Sequence, residues 1–177
     1  MNLRFHRCTL ADLEAVSKLS KSTFCTAFEA QNNPEDFKTY VEFAFDKKKL
    51  KQELLCVHSS FYFAYYNDIL AGYFKTNEST AQTDLKIEEA LEIERIYVTK
   101  DFQGKGLGHN MIQYIKQIAF AKEKRFLWLG VWEKNTKAIA FYQREGFIQF
   151  GTHPYSIGTD QQTDWLMRLD LLTLDKA

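Results

Sequence analysis

The sequence is poor in cysteine and has no long apolar run. The three cysteines, Cys8, Cys25 and Cys56, are an odd number without a CxxC pair, which predicts reduced thiols rather than a disulfide framework. The longest apolar run, FLWLGVW at 126–132, is too short to span a bilayer. The N-terminal MNLRFHR lacks the apolar segment of a secretory signal. We therefore expect a cytoplasmic protein that does not associate with membranes.

The sequence also carries no excess charge, since 23 Lys and Arg residues balance 23 Asp and Glu residues. This balance argues against nucleic-acid binding. The Cys and His residues are not spaced as metal ligands, so we expect no metal site. One stretch nevertheless combines a single base, Lys86, with six acids: Glu78, Asp84, Glu88, Glu89, Glu92 and Glu94. Such a stretch is either a solvated loop or an anionic patch for a cationic substrate.

Apolar residues make up 45% of the chain and aromatic residues 15%, which excludes a disordered chain. Its 177 residues suit a single domain, 1–177, with a full core. Hydrophobic patterns and helix-start residues predict elements in the order β-α-α-α-β-β-β-α-β-α-β-β. This order predicts an α/β fold in the broad sense, in which helices cover the faces of a mixed (α+β) sheet.

Three glycines separate a predicted strand at 91–98 from a predicted helix at 108–123: Gly104, Gly106 and Gly108. A strand, a glycine-rich turn and a helix are the general plan of a phosphate-binding site. A P-loop requires GxxxxGK[ST], but no Ser or Thr follows Lys105. A Rossmann fingerprint requires GxGxxG, but His109 occupies the last glycine position. Both nucleotide-binding interpretations therefore fail.

The segment instead fits Gln-x-x-Gly-x-Gly, with Gln103, Gly106 and Gly108, and resembles motif A of the GCN5-related N-acetyltransferases. Small residues let the backbone pass close to a pyrophosphate, and the amides at the start of the next helix point at it. NTKAIAFYQREGF at 135–147 resembles motif B of the same superfamily. Asn135 and Tyr142 are about two helical turns apart, so they lie on nearly one face.

Further segments narrow the resemblance. LEIERIYV, WLGVWEKN, AIAFYQREGF, the late QTD at 162–164 and the early PEDFKTYVEFAF together resemble the PaiA-type spermidine/spermine N-acetyltransferases. The similarity covers essentially the whole chain, although Lys105 and Gly106 lie in a stretch that varies within that subgroup. The resemblance implies a fold with an approximately seven-stranded, mostly antiparallel mixed sheet flanked by helices.

The resemblance also implies acetyl-CoA as the donor and a primary amine as the acceptor. It assigns the pantetheine arm to the backbone of Ile96, Tyr97 and Val98, with Asn135 contacting the pantetheine or the thioester. It assigns the pyrophosphate to one loop and its flank: Gln103, Gly104, Lys105, Gly106, Leu107, Gly108 and His109. Lys105 and Lys137 either neutralise phosphates of coenzyme A or are simply solvated.

Direct acyl transfer requires a base for the acceptor ammonium and an acid for the leaving thiolate. Tyr142 matches the general acid of the superfamily, and a phenol is still protonated at neutral pH. Glu94 is the candidate base, acting through water, and Glu92 is the second candidate. On a regular strand, Glu92, Glu94 and Ile96 would share one face. Alternatively, Glu94 is a structural ion-pair partner of Arg95 or of another base.

The acceptor pocket of the superfamily is usually built from the first two helices and the late hairpin. By this analogy the candidate acceptor-binding residues, together with Glu92, are Phe28, Glu29, Glu35, Tyr155 and Asp164. Carboxylates and aromatic faces both attract polyamines. Three functions stay open: a polyamine acetyltransferase, an acetyltransferase for a protein N-terminus, lysine or other small amine, and a non-catalytic acyl-CoA-binding regulatory module. For assembly, we expect a monomer or a homodimer.

Overall fold

The computed structural model describes residues 2–157 and 160–171. Within these ranges the element order is that predicted from the sequence. The elements are β1 Leu3–Arg7, α1 Leu13–Phe28, α2 Pro34–Ala44, α3 Lys47–Leu55, β2 Ser59–Tyr66, β3 Ile69–Asn77, β4 Ala90–Val98, α4 Leu107–Ala121, β5 Phe126–Trp132, α5 Thr136–Arg144, β6 Ile148–Ile157 and β7 Asp160–Asp170. No helix within the described ranges is long and apolar enough to cross a membrane.

The strands form one sheet in the order β1-β2-β3-β4-β5-β7-β6. β4 and β5 run parallel, and the other neighbouring strands are antiparallel. The predicted mixed, mostly antiparallel seven-stranded sheet is therefore confirmed. The β2–β3 hairpin turns at Asn67 and Asp68, whose φ angles of 47° and 64° lie in the left-handed region that suits a two-residue hairpin.

Helices cover both faces of the sheet. On one face, α4 and α5 bury Met111, Ile115 and Ile139 against residues of β4 and β5. On the other face, α1 and α3 bury Val16 and Leu50 against aromatic residues of β2 and β3. Complete burial of each such side chain stabilises the fold by about 1.5–3 kcal/mol. The sheet therefore separates two cores, and a site between β4 and β5 can be reached from both layers.

A β-bulge in β4 changes the direction of its side chains. The register with β3 shifts after Lys75, which leaves Glu94 as an extra residue. Ile93 and Ile96 pack into the same core, on the α4 side of the sheet, although they are three residues apart. The prediction that Glu92 and Glu94 share a face with Ile96 is wrong, because the bulge resets the alternation of a regular strand.

Candidate active site

The sheet opens into a wedge between its two parallel strands. The ladder between β4 and β5 covers residues 90–92 and 126–128 and then stops in the described part of both strands. β4 continues to Val98 on β3, and β5 continues to Trp132 on β7. A cavity of about 910 Å³ occupies the wedge and extends below α1. Its wall includes the predicted Ile96 and Tyr97, so the β5-facing backbone of β4 is accessible to a ligand.

The glycine-rich loop leads from β4 into α4 at the edge of this cavity. Gly104 and Gly106 have φ angles of 73° and 79°, which a residue with a side chain adopts only with strain. Gln103 lines the cavity and donates from Nε2 to the Val98 carbonyl at 3.1 Å. α4 begins at Leu107 without a side-chain cap in the described part of the chain, so its first amides can hold an anion.

Other residues of the predicted pyrophosphate loop have packing contacts. A Cβ atom added to Gly108 would lie 3.1 Å from the ring of Phe141, so this glycine lets α4 and α5 approach closely. Leu107 is buried in the core. His109 Nδ1 lies 3.0 Å from the Glu145 carboxylate. These contacts hold the loop in place, and a direct contact of these residues with a phosphate stays a prediction.

The two predicted lysines differ in position. Lys137, at the start of α5, lines the cavity. The Lys105 ammonium lies over the ring of Phe102, 5.0 Å from its centroid, and the residue is exposed. Only Lys137 of this pair therefore borders the described cavity, and it is the better placed of the two to neutralise an anionic ligand there.

Asn135 and Tyr142 both line the cavity from α5. The Asn135 side chain caps the helix by accepting a hydrogen bond from the Ala138 amide at 3.2 Å. Tyr142 is 9% exposed and packs against Phe147, with ring centroids 5.7 Å apart. Burial raises the pKa of the Tyr142 phenol, because the phenolate loses hydration. The phenol therefore keeps its proton at neutral pH, as a proton donor requires.

Glu94 is held by three donors. Its carboxylate lies 2.5 Å from Lys75 Nζ and 3.2 Å from Arg95 Nη2, and it accepts a hydrogen bond from Asn77 Nδ2 at 2.6 Å. Burial raises the pKa of Glu94, but the two cations and the hydrogen bonds outweigh it and lower the pKa to about 2. The contact with Arg95 is the ion pair that the sequence offered as the alternative role. The role of Glu94 as the base stays a prediction.

The cations that hold Glu94 also bind α3. Lys75 Nζ lies 3.0 Å from Glu53 Oε2, and Arg95 Nη1 lies 3.9 Å from the same atom. Lys75 and Arg95 have only 4% and 10% of their side chains exposed. Two buried cations and two carboxylates thus connect α3 to β3 and β4 below the cavity, where removal of one partner leaves a buried charge unpaired.

Glu92 lies in a different environment. It accepts hydrogen bonds from Asn77 Nδ2 at 2.9 Å and from the Thr83 amide at 3.0 Å, and also from the Thr83 hydroxyl. Burial raises the pKa of Glu92, which these hydrogen bonds partly oppose. Glu92 and Glu94 both line the cavity and share the Asn77 amide as a donor. Both predicted candidate bases are therefore beside the wedge, with their oxygens already hydrogen-bonded.

The predicted acceptor-binding residues separate into two groups. Phe28 and Asp164 line the cavity, and Gln162 Nε2 donates to Asn32 Oδ1 at 3.1 Å, which ties β7 to the loop before α2. Glu29 and Glu35 are exposed and lie outside the cavity wall. The side chain of Tyr155 lies outside the described residues, so its predicted contact stays a prediction, as do those of Glu29 and Glu35.

Three of the six acids in the stretch at 78–94, Glu78, Glu89 and Glu94, pair with Lys or Arg residues of the chain. Glu78 pairs with Lys122 and, at 3.3 Å, with Lys124. Glu89 Oε2 lies 2.8 Å from Arg125 Nη1. These bases follow α4, far along the sequence from the acids. The anionic patch for a cationic substrate stays a prediction, and the acids of this stretch that border the cavity are Asp84, Glu92 and Glu94.

Several cavity residues besides the predicted Phe28 were not predicted as site residues. Trp132 and Phe28 meet edge to face with ring centroids 6.5 Å apart, and His153 Nε2 lies 3.4 Å from Asp84 Oδ1. Phe24, Tyr40, Phe45 and Asp84 also contribute to the wall. Phe24 and Phe28 lie four residues apart on α1, but the other residues come from separate elements and are brought together by the fold. The wall of the cavity thus combines aromatic rings with carboxylates.

Known proteins share this sequence pattern. The Acetyltransferase (GNAT) family profile matches residues 22–147. An uncharacterised N-acetyltransferase from the pepI 3′ region of Lactobacillus delbrueckii subsp. lactis is 37% identical over 161 residues, covering 91% of this chain and 93% of that protein. The spermine/spermidine N(1)-acetyltransferase of Bacillus subtilis (strain 168) is 36% identical over 56 residues, covering 31% of this chain and 37% of that protein.

The fold also has close structural counterparts. The crystal structure of the PaiA N-acetyltransferase from Thermoplasma acidophilum, in complex with coenzyme A, matches with a TM-score of 0.78 and 18% identity, covering 97% of this chain and all (100%) of that chain. The family match spans both glycine-loop and α5 motifs, and the Lactobacillus relative matches nearly end to end. The chain therefore belongs to the GNAT family of acetyltransferases and is an N-acetyltransferase.

Proposed function

We propose that this enzyme transfers the acetyl group of acetyl-CoA directly to a primary amine of a polyamine such as spermidine or spermine. The observation that supports this most is the composition of the cavity. One cavity is lined by the wedge residues, by Tyr142, and by aromatic rings and carboxylates. Ammonium groups bind favourably to both kinds of wall.

The residues present fit acetyl-CoA. The wedge exposes backbone groups at Ile96, Tyr97 and Val98, where the pantetheine arm would bind, and Asn135 borders the same space. The left-handed loop at Gly104 and Gly106 and the uncapped start of α4 suit a pyrophosphate. Lys137 adds a positive charge at the wall. When bound, acetyl-CoA supplies an acetyl carbon that is activated by its thioester.

Tyr142 is the proposed general acid. Its phenol borders the wedge and is kept protonated by burial, so it can donate a proton to the departing sulfur. Glu94, with Glu92 as the second candidate, is the base that the resemblance suggests. Both carboxylates are already occupied by donors from the chain. The group that accepts the proton of the amine therefore needs a separate test.

The composition of the cavity wall favours the binding of a polycation. Asp84, Glu92 and Asp164 place carboxylates on this wall, and Phe28 and Trp132 provide aromatic rings. The relative named as a spermine/spermidine N(1)-acetyltransferase matches over part of the chain, which agrees with such a substrate. A protein N-terminus, a lysine side chain or another small amine is the alternative acceptor, and a non-catalytic acyl-CoA-binding role is the remaining one.

Thiol release from acetyl-CoA tests these functions with a panel of amines. The panel contains spermidine, spermine, a peptide with a free N-terminus, a lysine peptide and simple monoamines. We expect the highest kcat/KM with spermidine or spermine, because they present several ammonium groups to the carboxylates. Turnover of peptides without turnover of polyamines would favour the alternative acceptors. Binding of coenzyme A without turnover of any amine would rule out the enzymatic proposal.

A further inference from the structure

Four carboxylates line the cavity, and they differ in the donors that occupy them: Asp84, Glu92, Glu94 and Asp164. Glu94 is held by two cations and an amide, and Glu92 by an amide, a hydroxyl and a backbone N–H. Asp84 lies 3.4 Å from the His153 ring. Asp164 receives no hydrogen bond from the side chains and amides that the structure describes, a set that leaves out the side chains of Tyr155 and Asp160. Its oxygens are therefore the freest of the four to take a proton.

The position of Asp164 brings its carboxylate over β5. Asp164 lies on β7 directly opposite Trp132, the last residue of β5. Its Oδ2 atom lies 3.5 Å from the point where a Cβ atom of Gly130 would be. Because Gly130 has no side chain, this position of β5 leaves space for the carboxylate beside the cavity that both residues line. Gly130 thus lets Asp164 reach from β7 towards the wedge.

We propose that Asp164 is a catalytic residue, the base that accepts the proton which the acceptor ammonium must lose. This inference rests on the proposed transfer to an amine. One nitrogen proton passes to the Asp164 carboxylate and then to solvent. The freed amine forms the N–C bond to the acetyl carbon, and the C–S bond breaks. The sulfur takes a proton from Tyr142, and the second nitrogen proton restores that phenol, so one proton is released per acetyl group transferred.

The surroundings of Asp164 suit this role. Burial raises its pKa, the carboxylates of Asp84 and Glu133 raise it further, and His153 opposes them, with a result of about 6. A carboxyl group of this pKa is ionised at neutral pH and is a much stronger base than Glu94, whose pKa is about 2. Proton transfer is most effective when the pKa of the base lies near the working pH.

The experiment is the pH profile of kcat/KM for spermidine in the wild type, Asp164→Asn, Asp164→Glu and Glu94→Gln. We expect a rising limb centred near pH 6 in the wild type. Asp164→Asn should lower kcat by about 10²- to 10⁴-fold and remove that limb. Asp164→Glu should keep the limb with part of the activity, and Glu94→Gln should keep the limb unshifted.

Two controls make the result decisive. Asp164→Asn should keep the acetyl-CoA affinity of the wild type and a thermal midpoint at least as high, because it removes a carboxylate whose ionisation burial disfavours; this separates a chemical defect from misfolding. His153→Asn should retain the limb and move it to higher pH, because His153 lowers the pKa of Asp164. A limb that persists in Asp164→Asn, or that disappears in His153→Asn instead, would overturn the assignment while leaving amine acetylation intact. A wild type that acetylates no amine would overturn the proposed function as well.

Discussion

The Lys75 ammonium lies 2.5 Å from the Glu94 carboxylate, and only 4% and 16% of the two side chains are exposed. The pair sits where the bulge of β4 meets β3, beside the wedge. The Glu94 carboxylate is therefore ionised at neutral pH, and the Lys75 ammonium balances its charge. The pair therefore stabilises the fold and also holds Glu94 in place on the cavity wall.

Glu94 should make stability depend on acid pH. The Glu94 pKa of about 2 lies below that of a glutamate in the unfolded chain. Its contribution to the free energy of unfolding is therefore complete above the unfolded pKa and is lost as the pH falls towards 2. We expect the wild type to lose roughly 2 kcal/mol more unfolding free energy than Glu94→Gln between pH 6 and pH 3. Urea unfolding at both pH values measures this difference. Equal losses would mean that Glu94 is not ion-paired in the folded protein.

Removing the Tyr142 hydroxyl should slow acetyl transfer without weakening the binding of acetyl-CoA. We expect Tyr142→Phe to lower kcat by roughly 10- to 1000-fold, with little change in the Kd for acetyl-CoA, because the substitution removes a proton donor and keeps the ring. Tyr114→Phe is the matched control, because Tyr114 on α4 stacks on Phe5 of β1 and does not line the cavity. A kcat for Tyr142→Phe equal to that of the control would exclude Tyr142 as the acid.

The left-handed backbone at Gly106 should contribute to the binding of acetyl-CoA. Gly106→Ala forces a side chain into φ 79°, which costs roughly 1–2 kcal/mol, and it disturbs the start of α4. We expect weaker binding of acetyl-CoA by calorimetry together with a lower thermal midpoint. Gly151→Ala is a suitable control, because its new Cβ would meet Leu166 at an ordinary 3.5 Å. Unchanged affinity in Gly106→Ala would argue against the loop as the pyrophosphate site.

Asp84 and Glu89 belong to the same acidic stretch but should affect the acceptor differently. Asp84 lines the cavity, whereas Glu89 pairs with Arg125 at 2.8 Å. We expect Asp84→Asn to raise the KM for spermidine several-fold, more at low ionic strength, because an attractive charge is lost. Glu89→Gln should leave KM unchanged in the same assay. Equal effects of both substitutions would indicate a diffuse field rather than a binding wall.

The fold could be predicted largely from local patterns. The order of the elements follows from apolar periodicity, and FLWLGVW at 126–132 coincides with β5. The hairpin turn at Asn67 and Asp68 is also local, because both residues tolerate a left-handed backbone. Such features depend on neighbours in sequence, so the sequence alone is enough to anticipate them.

The site could be predicted only where it depends on motifs. The spacing of Asn135 and Tyr142 predicts one helix face for both, and both line the cavity. The bulge at Glu94 could not be predicted, because it arises from pairing with β3 rather than from the local sequence. The contact of Lys75 with Glu94 could not be predicted either, because strand register brings together residues far apart in the chain.

One competition experiment distinguishes a polyamine acceptor from a peptide acceptor. Spermidine and a peptide with a free N-terminus are offered together, at equal concentration, to the enzyme and acetyl-CoA, and mass spectrometry follows both products. We expect monoacetylated spermidine to accumulate first and Tyr142→Phe to slow its formation. Accumulation of acetylated peptide while spermidine stays unmodified would show that a polyamine is not the acceptor.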